Sequence, residues 1–502
     1  MAVSSFEELI QDRSDYIRIA RKNGFEEGLR NLLSELYPDN AHFIYEILQN
    51  AEDARATSVD FSLQTDRLVV THDGERPFSL NDIESITSIG QSTKKDDETS
   101  IGKFGVGFKA VFAYTTRPEV RSGKFNFVIE DLFVPRLTDG SVPPGTTSFT
   151  FPFDRPEKAP DVACAEVQRG LEELDEKTLL FLNRISTISY SLPSGTTGIV
   201  MREEHRDLTI TITKEVGGTV TDSKWLRIVG DSSVAHSGQA PLKVAAAFQL
   251  EEEEVKEKGR GKRSPTRREV VRSVVPVAAG EVCIYFPAVK EESGLKFHIH
   301  APFASTVARD SVRDDPDNAQ LVADIGRLIV DNLPALRDGG LMSDTLLAAL
   351  PNEDDPLQVP YTSIRDVVIE AFNKEALTPV RGRSRSFAPA ESLIASPSEF
   401  RNFLDEGDLK TLLFIYPGVD REDEPRWIRD SNGRAAKFLE SLSPAMFGWD
   451  ELRSALEWVQ PGQMIASDGL RVTPSDEDRE AWTSWLVAKS DKSLLSFYQL
   501  LG

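Results

Sequence analysis

The sequence predicts an α+β protein with more than one domain. An amphipathic helix is expected at residues 40–54, and two short strand-like runs follow at 59–63 and 67–71. Further strand-like runs recur between residues 185 and 300, before a helical pattern at 318–332 that we expect Pro334 to end. Strands that are grouped in sequence and then followed by a helix favour mixed layers over a strictly alternating βα order.

These patterns divide the 502 residues into three regions. We expect one α/β domain over residues 1–200, a second over residues 201–340, and a mostly helical region over residues 341–502. Within the last region, helices are expected over 393–413 and 435–458. The final amphipathic stretch runs to the last residues without a stop signal, so we expect the chain to be a shortened form of a longer protein.

The helix expected at 40–54 carries two stripes. Its apolar residues recur at i, i+3, i+4 and i+7, namely Ile44, Ile47, Leu48 and Ala51. Glu46, Asn50 and Asp53 form a separate polar stripe. An amide oxygen suits Mg²⁺, and a carboxylate one turn away can orient a water for attack on a phosphoryl group. A surface helix with a solvated polar face is the simpler alternative.

A hairpin and a turn come next. The runs at 59–63 and 67–71 are separated by Gln64-Thr65-Asp66, which is typical of a β-hairpin. Asp73-Gly74 then ends the second strand in a turn. An acid at such a turn can accept a hydrogen bond from the exocyclic amine of adenine, and an ordinary turn residue is the alternative.

A glycine-rich loop follows at Gly102, Gly105 and Gly107, ahead of the apolar segment 108–114. Glycines allow backbone N–H groups to approach phosphate oxygens closely, and a helix N-terminus adds partial positive charge. No Gly-Lys-Ser/Thr ends this loop, so it is not a P-loop. It also lies after a helix and a strand pair, which excludes a Rossmann fingerprint.

The order of these motifs resembles the Bergerat fold. That fold is shared by gyrase B subunits, the ninety-kilodalton heat-shock chaperones, histidine kinases and MutL. The segments 72–79, 88–94 and 101–109 are similar to the sacsin-type, chaperone-like branch. The resemblance covers roughly the first third of the chain and implies an ATP-binding α/β sandwich, followed by a transducer-like or middle-like α/β domain.

The resemblance implies a role for each matching residue. Glu46 would be the general base, Asn50 would bind Mg²⁺ through its side-chain oxygen, and Asp53 would support the pocket. Asp73 would read adenine, and Gly74 would leave room for the base. The remaining ATP-binding positions would be Lys94, Gly102, Lys103, Phe104, Gly105, Val106, Gly107, Phe108 and Thr146. Residues 83–100 would form a lid over the nucleotide.

The adenine-reading turn departs from the family pattern. In the better-known members, the acid is the first residue of an Asp-x-Gly triplet. Here His72 holds that position and Asp73 is in the middle. Either Asp73 takes the role through a local shift, or adenine recognition is altered.

Two further groups of residues lie in the second region. In related ATPases a basic residue from this region reaches the γ-phosphate, and Arg309 is the candidate, with Arg313 second. A surface arginine paired with Asp310 or with residue 314 is the alternative. The histidines at 298 and 300 share one strand face, where packing is favoured over metal binding because no cysteine or third histidine is nearby.

Composition limits the classes of partner. The chain has 58 Lys and Arg against 81 Asp and Glu, a net charge of −23, which argues against broad nucleic-acid binding. The basic loop 256–272 is the local exception, expected to be a hairpin tip with self-compensating charge or else a docking site for a partner or nucleic acid.

Apolar runs and cysteine usage indicate whether the chain crosses a membrane and which compartment suits it. No apolar run approaches the ~20 residues that a membrane span needs. Cys164 and Cys283 are distant from each other in sequence, and we expect both to be buried as thiols in a reducing, cytoplasmic setting.

The leading functional hypothesis is a Mg²⁺-dependent conformational switch that binds ATP and hydrolyses it slowly. It would act with a protein partner or as a homodimer, in chaperone-like remodelling or in a multi-protein system such as antiviral (phage) defence. A nucleotide-binding scaffold without catalysis is the second hypothesis. A histidine kinase is disfavoured, because no phospho-acceptor helix precedes the ATP domain and His42 lies within the binding helix. A DNA topoisomerase or repair role suits the acidity poorly.

Overall fold

The computed structural model describes residues 5–24, 43–88, 107–234, 241–257, 267–306, 310–382, 385–397 and 425–451, with isolated positions after residue 399. These form two compact units. The first comprises Met1–Ile329 with Pro356–Tyr361, and the second comprises Val330–Asp355 with Thr362–Gly502. The three-region division expected from the sequence stays a prediction.

The helices of the described residues are α1 (Phe6–Lys22), α2 (Phe43–Asp53), α3 (Leu80–Ile86), α4 (Pro160–Glu172), α5 (Glu176–Leu180), α6 (Pro316–Asp338), α7 (Asp344–Ala349), α8 (Thr362–Lys374) and α9 (Gly433–Glu440). A 3₁₀ segment spans Gly107–Ala113.

Fifteen strands form one mixed sheet. They are β1 (Ser58–Leu63), β2 (Arg67–His72), β3 (Glu119–Ser122), β4 (Phe125–Glu130), β5 (Val134–Leu137), β6 (Thr147–Pro152), β7 (Thr187–Ser191), β8 (Thr197–Glu204), β9 (Thr209–Val216), β10 (Thr219–Asp231), β11 (Lys243–Glu257), β12 (Arg267–Val275), β13 (Val282–Ile284), β14 (Phe286–Pro287) and β15 (His298–His300). The order is β14-β13-β15-β11-β10-β9-β8-β7-β1-β2-β6-β3-β4-β5, with β12 on β11.

The mixed sheet with packed helices confirms the α+β class. Within this sheet, β1 with β7 and β13 with β15 pair in parallel. The sheet is continuous through β8, which crosses the boundary expected at residue 200.

The first elements follow the predicted patterns. The apolar stripe of α2 is buried at all four of its positions. β1 and β2 form the predicted antiparallel hairpin, from Val59 opposite His72 to Leu63 opposite Leu68. The N–H of Gln64 donates to the carbonyl of Arg67 at 2.8 Å and closes the turn.

Pro334 does not end α6, so that expectation was wrong. The helix continues to Asp338. A proline removes one helical hydrogen bond. Here Leu333 and Leu336 are buried on either side of it, and their packing offsets that loss.

The C-terminal region is less helical in its described part than expected. Ile394 and Ala395 form β18, which pairs in parallel with β19 (Ala445–Met446), where the sequence predicted helices. Further two-residue strands are β16 (Thr378–Pro379), β17 (Phe387–Ala388), β20 (Met464–Ile465) and β21 (Arg471–Val472). Short apolar runs of this kind have a similar signal in a helix and in a buried strand, so periodicity did not separate them.

The two described ends of the basic loop 256–272 are strands. β11 and β12 form an antiparallel hairpin that pairs Lys256 with Arg268 and Glu252 with Arg272, while residues 258–266 lie outside the described part. The charge compensation that we expected is seen at Arg272, whose guanidinium bonds the carboxylates of Glu252 and Asp207.

Two histidines and two cysteines are packed in the core. Nδ1 of His298 accepts the N–H of Glu281 at 2.9 Å, and Nδ1 of His300 accepts the N–H of Tyr285 at 3.1 Å. Cys164 and Cys283 are free and buried, as predicted.

Among the described residues, no group of three His, Cys, Asp or Glu side chains converges to hold a metal. Their helices include none that is long and apolar enough to cross a membrane.

The side chain of Glu52 fixes helix α2 to the sheet. Its carboxylate is buried and accepts three backbone N–H bonds, from Asn183 at 2.7 Å, Arg184 at 2.8 Å and Ile185 at 2.9 Å. These residues lead into β7, which pairs with β1. The last turn of α2 and the entry to β7 are therefore held together by one side chain.

Two arginines satisfy the carbonyls of the same segment. Nη1 of Arg202, from β8, donates to the carbonyls of Leu179 and Leu182, and Nη1 of Arg227 donates to that of Leu180 at 3.1 Å. Burial, together with the neighbouring Arg227, lowers the pKa of Arg202 to about 10. The backbone of residues 179–185 is thus held by the carboxylate of Glu52, which accepts from its N–H groups, and by two guanidinium groups, which donate to its carbonyls.

We expect Glu52→Ala to lower the free energy of unfolding by roughly 3–5 kcal/mol, because it leaves buried backbone N–H groups without acceptors. Urea unfolding measures the loss, and hydrogen exchange should show reduced protection at residues 183–185. Glu75→Ala is the control, since that carboxylate is 69 % exposed and lies 3.8 Å from Arg55, and it should change stability by less than about 0.5 kcal/mol. Equal stability of the two variants would contradict the role of Glu52.

Candidate functional site

Helix α2 presents the predicted polar stripe beside a buried apolar face. Glu46 is 6 % exposed, whereas Asn50 and Asp53 are half-buried. Residues four apart lie on the same helix face, with their Cβ atoms roughly 5–6 Å apart. The helix therefore places a buried carboxylate and a more accessible amide side by side.

The turn after β2 meets the end of this helix at Gly74. A Cβ at Gly74 would lie 2.8 Å from Nδ1 of His72 and 2.9 Å from the Cβ of Ala54. The N–H of Arg76 donates to the carbonyl of Ala54 at 3.2 Å. Only glycine lets the turn pack this closely against the residue that follows Asp53.

Asp73 faces β1. Its carboxylate accepts bonds from the N–H of Thr57 at 2.7 Å, the hydroxyl of Thr57 at 2.5 Å and the N–H of Ser58 at 2.9 Å. Desolvation alone would raise the pKa of Asp73, but these hydrogen bonds lower it below the usual value. Asp73 thus ties the end of β2 to the start of β1.

His72 is buried, at the position where the resemblance led us to expect an acid. The side chain is 4 % exposed, and Nδ1 accepts the N–H of Gly74 at 3.1 Å. Burial lowers the pKa of His72 to about 4, against a smaller opposing effect of Asp73. The imidazole is therefore neutral at physiological pH.

His72 is one end of a buried polar row across the sheet. It pairs directly with Thr147 on β6, which pairs with Ser122 on β3. Directly opposite residues share a sheet face, and Thr147 and Ser122 are also buried. Their hydroxyl oxygens are 2.6 Å apart, and Oγ of Ser122 also accepts the N–H of Phe78 at 3.0 Å.

The polar row lies on the sheet face that α2 covers. The ring of Phe43 on α2 is 6.0 Å from that of Phe151, which has the same parity on β6 as Thr147. The ring of His72 is 6.1 Å from that of Phe149. The predicted residue Thr146 lies just before β6 and is half-buried, and its N–H donates to the carbonyl of Pro143 at 3.1 Å.

Most of the predicted phosphate loop lies outside the described residues. This applies to Lys94, Gly102, Lys103, Phe104, Gly105 and Val106, and to residues 89–100 of the predicted lid. The first residues of that lid end α3, which begins at Leu80 with a capping box between Ser79 and Asp82.

The apolar segment after the loop forms a 3₁₀ helix. Gly107 begins it, and Phe108 is buried with its ring 6.1 Å from that of Phe149. Nζ of Lys109 donates to the carbonyl of Leu132 at 2.6 Å and lies 4.5 Å from the centre of the Phe133 ring. Burial, with the nearby Arg13, holds the pKa of Lys109 well below its usual value.

The predicted γ-phosphate sensor is also outside the described part, because that part excludes residues 307–309 and therefore Arg309. The N–H of Arg313 donates to the carbonyl of Ala304 at 2.9 Å. Asp310 accepts the hydroxyl of Thr306 at 2.7 Å and pairs with Lys290 at 2.5 Å.

A known family model matches the region around the turn. The family model described as Sacsin domain matches residues 62–141, which include β2, the residues of the 72–74 turn and the glycine-rich loop. The match spans 80 of the 502 residues, so it is a similarity of this region and not of the whole chain.

Two curated proteins are similar to the chain. Protein NO VEIN from Arabidopsis thaliana is 29% identical over 229 residues, covering 40% of this chain and 8% of that protein. Sacsin from Homo sapiens is 30% identical over 120 residues, covering 20% of this chain and 3% of that protein. The chain spans less than a tenth of the length of either relative.

Among solved structures, a DNA repair protein's N-terminal domain is similar, with 10% sequence identity over 60% of this chain and 98% of that one. The TM-score is 0.33, which is too low to assign a fold.

We expect the free energy of unfolding to fall as the pH drops from about 6.5 towards 4. His72, His298 and His300 each have a pKa lowered to about 4 by burial, whereas an unfolded histidine titrates near ~6.5. The unfolded chain binds more protons in this window. The contribution of the three neutral rings to the free energy of unfolding is therefore fully present above pH 6.5 and is lost as the pH falls towards 4. At pH 5, each of the three histidines should lower the free energy of unfolding by roughly 2 kcal/mol relative to neutral pH.

Urea unfolding at pH 7.5 and pH 5 measures this loss. Carboxyls with a lowered pKa, such as that of Asp73, contribute only at lower pH. His300→Gln removes one of the three rings and should make the pH dependence shallower. An unchanged slope in that variant would contradict the assignment.

Proposed function

We propose that the N-terminal part of the chain is a Bergerat-type ATP-binding domain that binds ATP with Mg²⁺ and hydrolyses it slowly. The observation that carries the proposal is the almost complete burial of Glu46 one helical turn before the more accessible Asn50. The sacsin-domain match over residues 62–141 supports it, because it includes the turn and the glycine-rich loop that complete the motif order.

The chain offers a donor set that fits this chemistry. The amide oxygen of Asn50 is a hard ligand of the kind Mg²⁺ takes, usually with few protein ligands besides phosphate oxygens and waters. When bound, the metal would supply neutralisation of the charge that develops on the phosphates. The carboxylate of Glu46 would accept a proton from a water and orient that water for attack.

Other residues complete the proposed pocket. Gly102, Gly105 and Gly107 would present backbone N–H groups to phosphate oxygens. On the base side, the geometry supports Thr147 in place of Thr146, because Thr147 shares the buried face with His72. Asp53, at the end of α2 beside Ala54 and Gly74, would support the turn.

The resulting activity is a conformational switch of the sacsin and heat-shock-chaperone type. Bound ATP would order the lid and change the affinity of the chain for a protein partner or for a second copy of itself. A ligand shifts such an equilibrium only through its different affinities for the two states, and hydrolysis would reset it.

A nucleotide-binding scaffold without catalysis is the second candidate. The carboxylate of Asp73, the predicted adenine reader, already accepts three hydrogen bonds from Thr57 and Ser58. A site that has changed its base recognition could also have lost turnover while keeping its structural role. Measurements of binding and of hydrolysis separate the two candidates.

The first test compares Glu46→Ala and Asn50→Ala with the wild type. Glu46→Ala should bind ATP with a Kd within about threefold of wild type and should lose at least ~100-fold in turnover, because general-base catalysis is removed. Asn50→Ala should lose Mg²⁺-dependent binding. Calorimetry with and without Mg²⁺ measures the binding, and a phosphate-release assay measures the turnover.

Asp66→Ala is the matched control, since this exposed carboxylate lies in the β1–β2 turn, at the end of β2 opposite to His72. It should change neither binding nor turnover. Wild-type binding without turnover would favour the scaffold, and no saturable binding would overturn both candidates.

Arg309 remains the proposed γ-phosphate sensor. Arg309→Ala should keep ATP binding within about threefold and lower turnover by at least ~10-fold, because an arginine supplied to the phosphate acts mainly in the transition state. Arg313→Ala, measured by the same phosphate-release assay, is the comparison. A larger loss in Arg313→Ala than in Arg309→Ala would reassign the role.

A further inference from the structure

The hydrogen bond from the backbone fixes the proton of His72. The N–H of Gly74 donates to Nδ1, so Nδ1 carries a lone pair, and the proton of the neutral ring lies on Nε2. The bond is held in place because Gly74 packs directly against both His72 and Ala54. His72 therefore offers a hydrogen-bond donor at Nε2.

This donor belongs to the buried polar row. His72, Thr147 and Ser122 share the face covered by α2, and the two hydroxyls bond to each other. No partner for Nε2 is found among the residues that the structure describes. A donor without a protein partner gains a hydrogen bond from a ligand or a water, which favours one of these at this end of the row.

Asp73 is positioned for a different task. Both of its carboxylate oxygens accept bonds from Thr57 or Ser58 at the start of β1. These bonds hold two strands together and use three of the roughly four lone-pair positions of the carboxylate. His72 thus adds a neutral donor to the row, and Asp73 beside it is a structural acceptor.

We propose that His72 is the base-reading residue of this nucleotide site, and that it donates to the purine instead of accepting from it, so that the site does not prefer adenine over guanine. The inference rests on the proposed nucleotide-binding function and defines its substrate class as purine nucleoside triphosphates.

The chemistry of the two purines leads to this class. A carboxylate accepts from the 6-amino group of adenine and faces the O6 carbonyl of guanine unfavourably, because both are acceptors. A donor such as Nε2–H can bond to N1 of adenine or to O6 of guanine. The hydroxyl of Thr147 can donate or accept, so it adapts to either base.

The test measures Kd by calorimetry on the full chain with Mg²⁺, using ATP, GTP and purine riboside triphosphate, which has no group at position 6. We expect the three wild-type values to lie within about threefold of one another, because the 6-amino group is not read. His72→Asp should shift the ratio at least ~10-fold towards ATP, since one specific hydrogen bond is worth about that factor.

The controls keep the outcome decisive. Asp73→Asn should lower the thermal midpoint and leave the ratio of the ATP and GTP constants unchanged. A wild-type preference of ~10-fold or more for ATP over both other nucleotides would overturn the inference, and so would a ratio that moves in Asp73→Asn. Because the first of these needs no variant, a misfolded His72→Asp would not weaken the test. If none of the three binds, the proposed function itself fails.

Discussion

Three backbone N–H groups at residues 183–185 converge on the carboxylate of Glu52, and the arrangement of the site depends on this contact. It fixes the last turn of α2 relative to β7, which pairs with β1. The guanidinium of Arg202 holds carbonyls of the same segment from β8. Because Glu46 lies on the same short helix, its position relative to the sheet follows from contacts at Glu52 rather than from its own surroundings alone.

The buried polar row is the second constraint. Hydroxyls and an imidazole on a sheet face covered by a helix would be unfavourable in an ordinary core, and Ser122 and Thr147 reduce that cost by bonding to each other. His72 reduces it by accepting from Gly74. The same packing prevents Gly74 from being any larger residue, so the turn, the end of α2 and the row form one connected arrangement.

Local periodicity predicted the elements that carry the site, and it did not predict their long-range partners. The stripe of α2 and the β1–β2 hairpin depend on residues close in sequence, so the pattern was sufficient. Glu46 and Glu52 are both acids on one helix, and only partners 131–133 residues away distinguish Glu52. Thr147 has the same parity as the buried Phe149 on β6, a signal that the sequence carries and that the choice of Thr146 did not use. Pro334 failed as a stop signal because burial beyond it outweighed one lost bond.

The carboxylate of Asp73 is used in hydrogen bonds to Thr57 and Ser58. The turn can therefore keep its shape when the side chain at position 72 changes. In a turn where the acid both reads a base and bonds the backbone, replacing it would disturb two functions at once. Here the structural bonds belong to Asp73, and the ring directed inward belongs to His72. Because Asp73 makes the structural bonds, the buried position 72 is free to hold either a hydrogen-bond donor or an acceptor. In the proposed nucleotide site, base preference could then change through one side chain, while the helix that carries Glu46 and Asn50 stays fixed by Glu52.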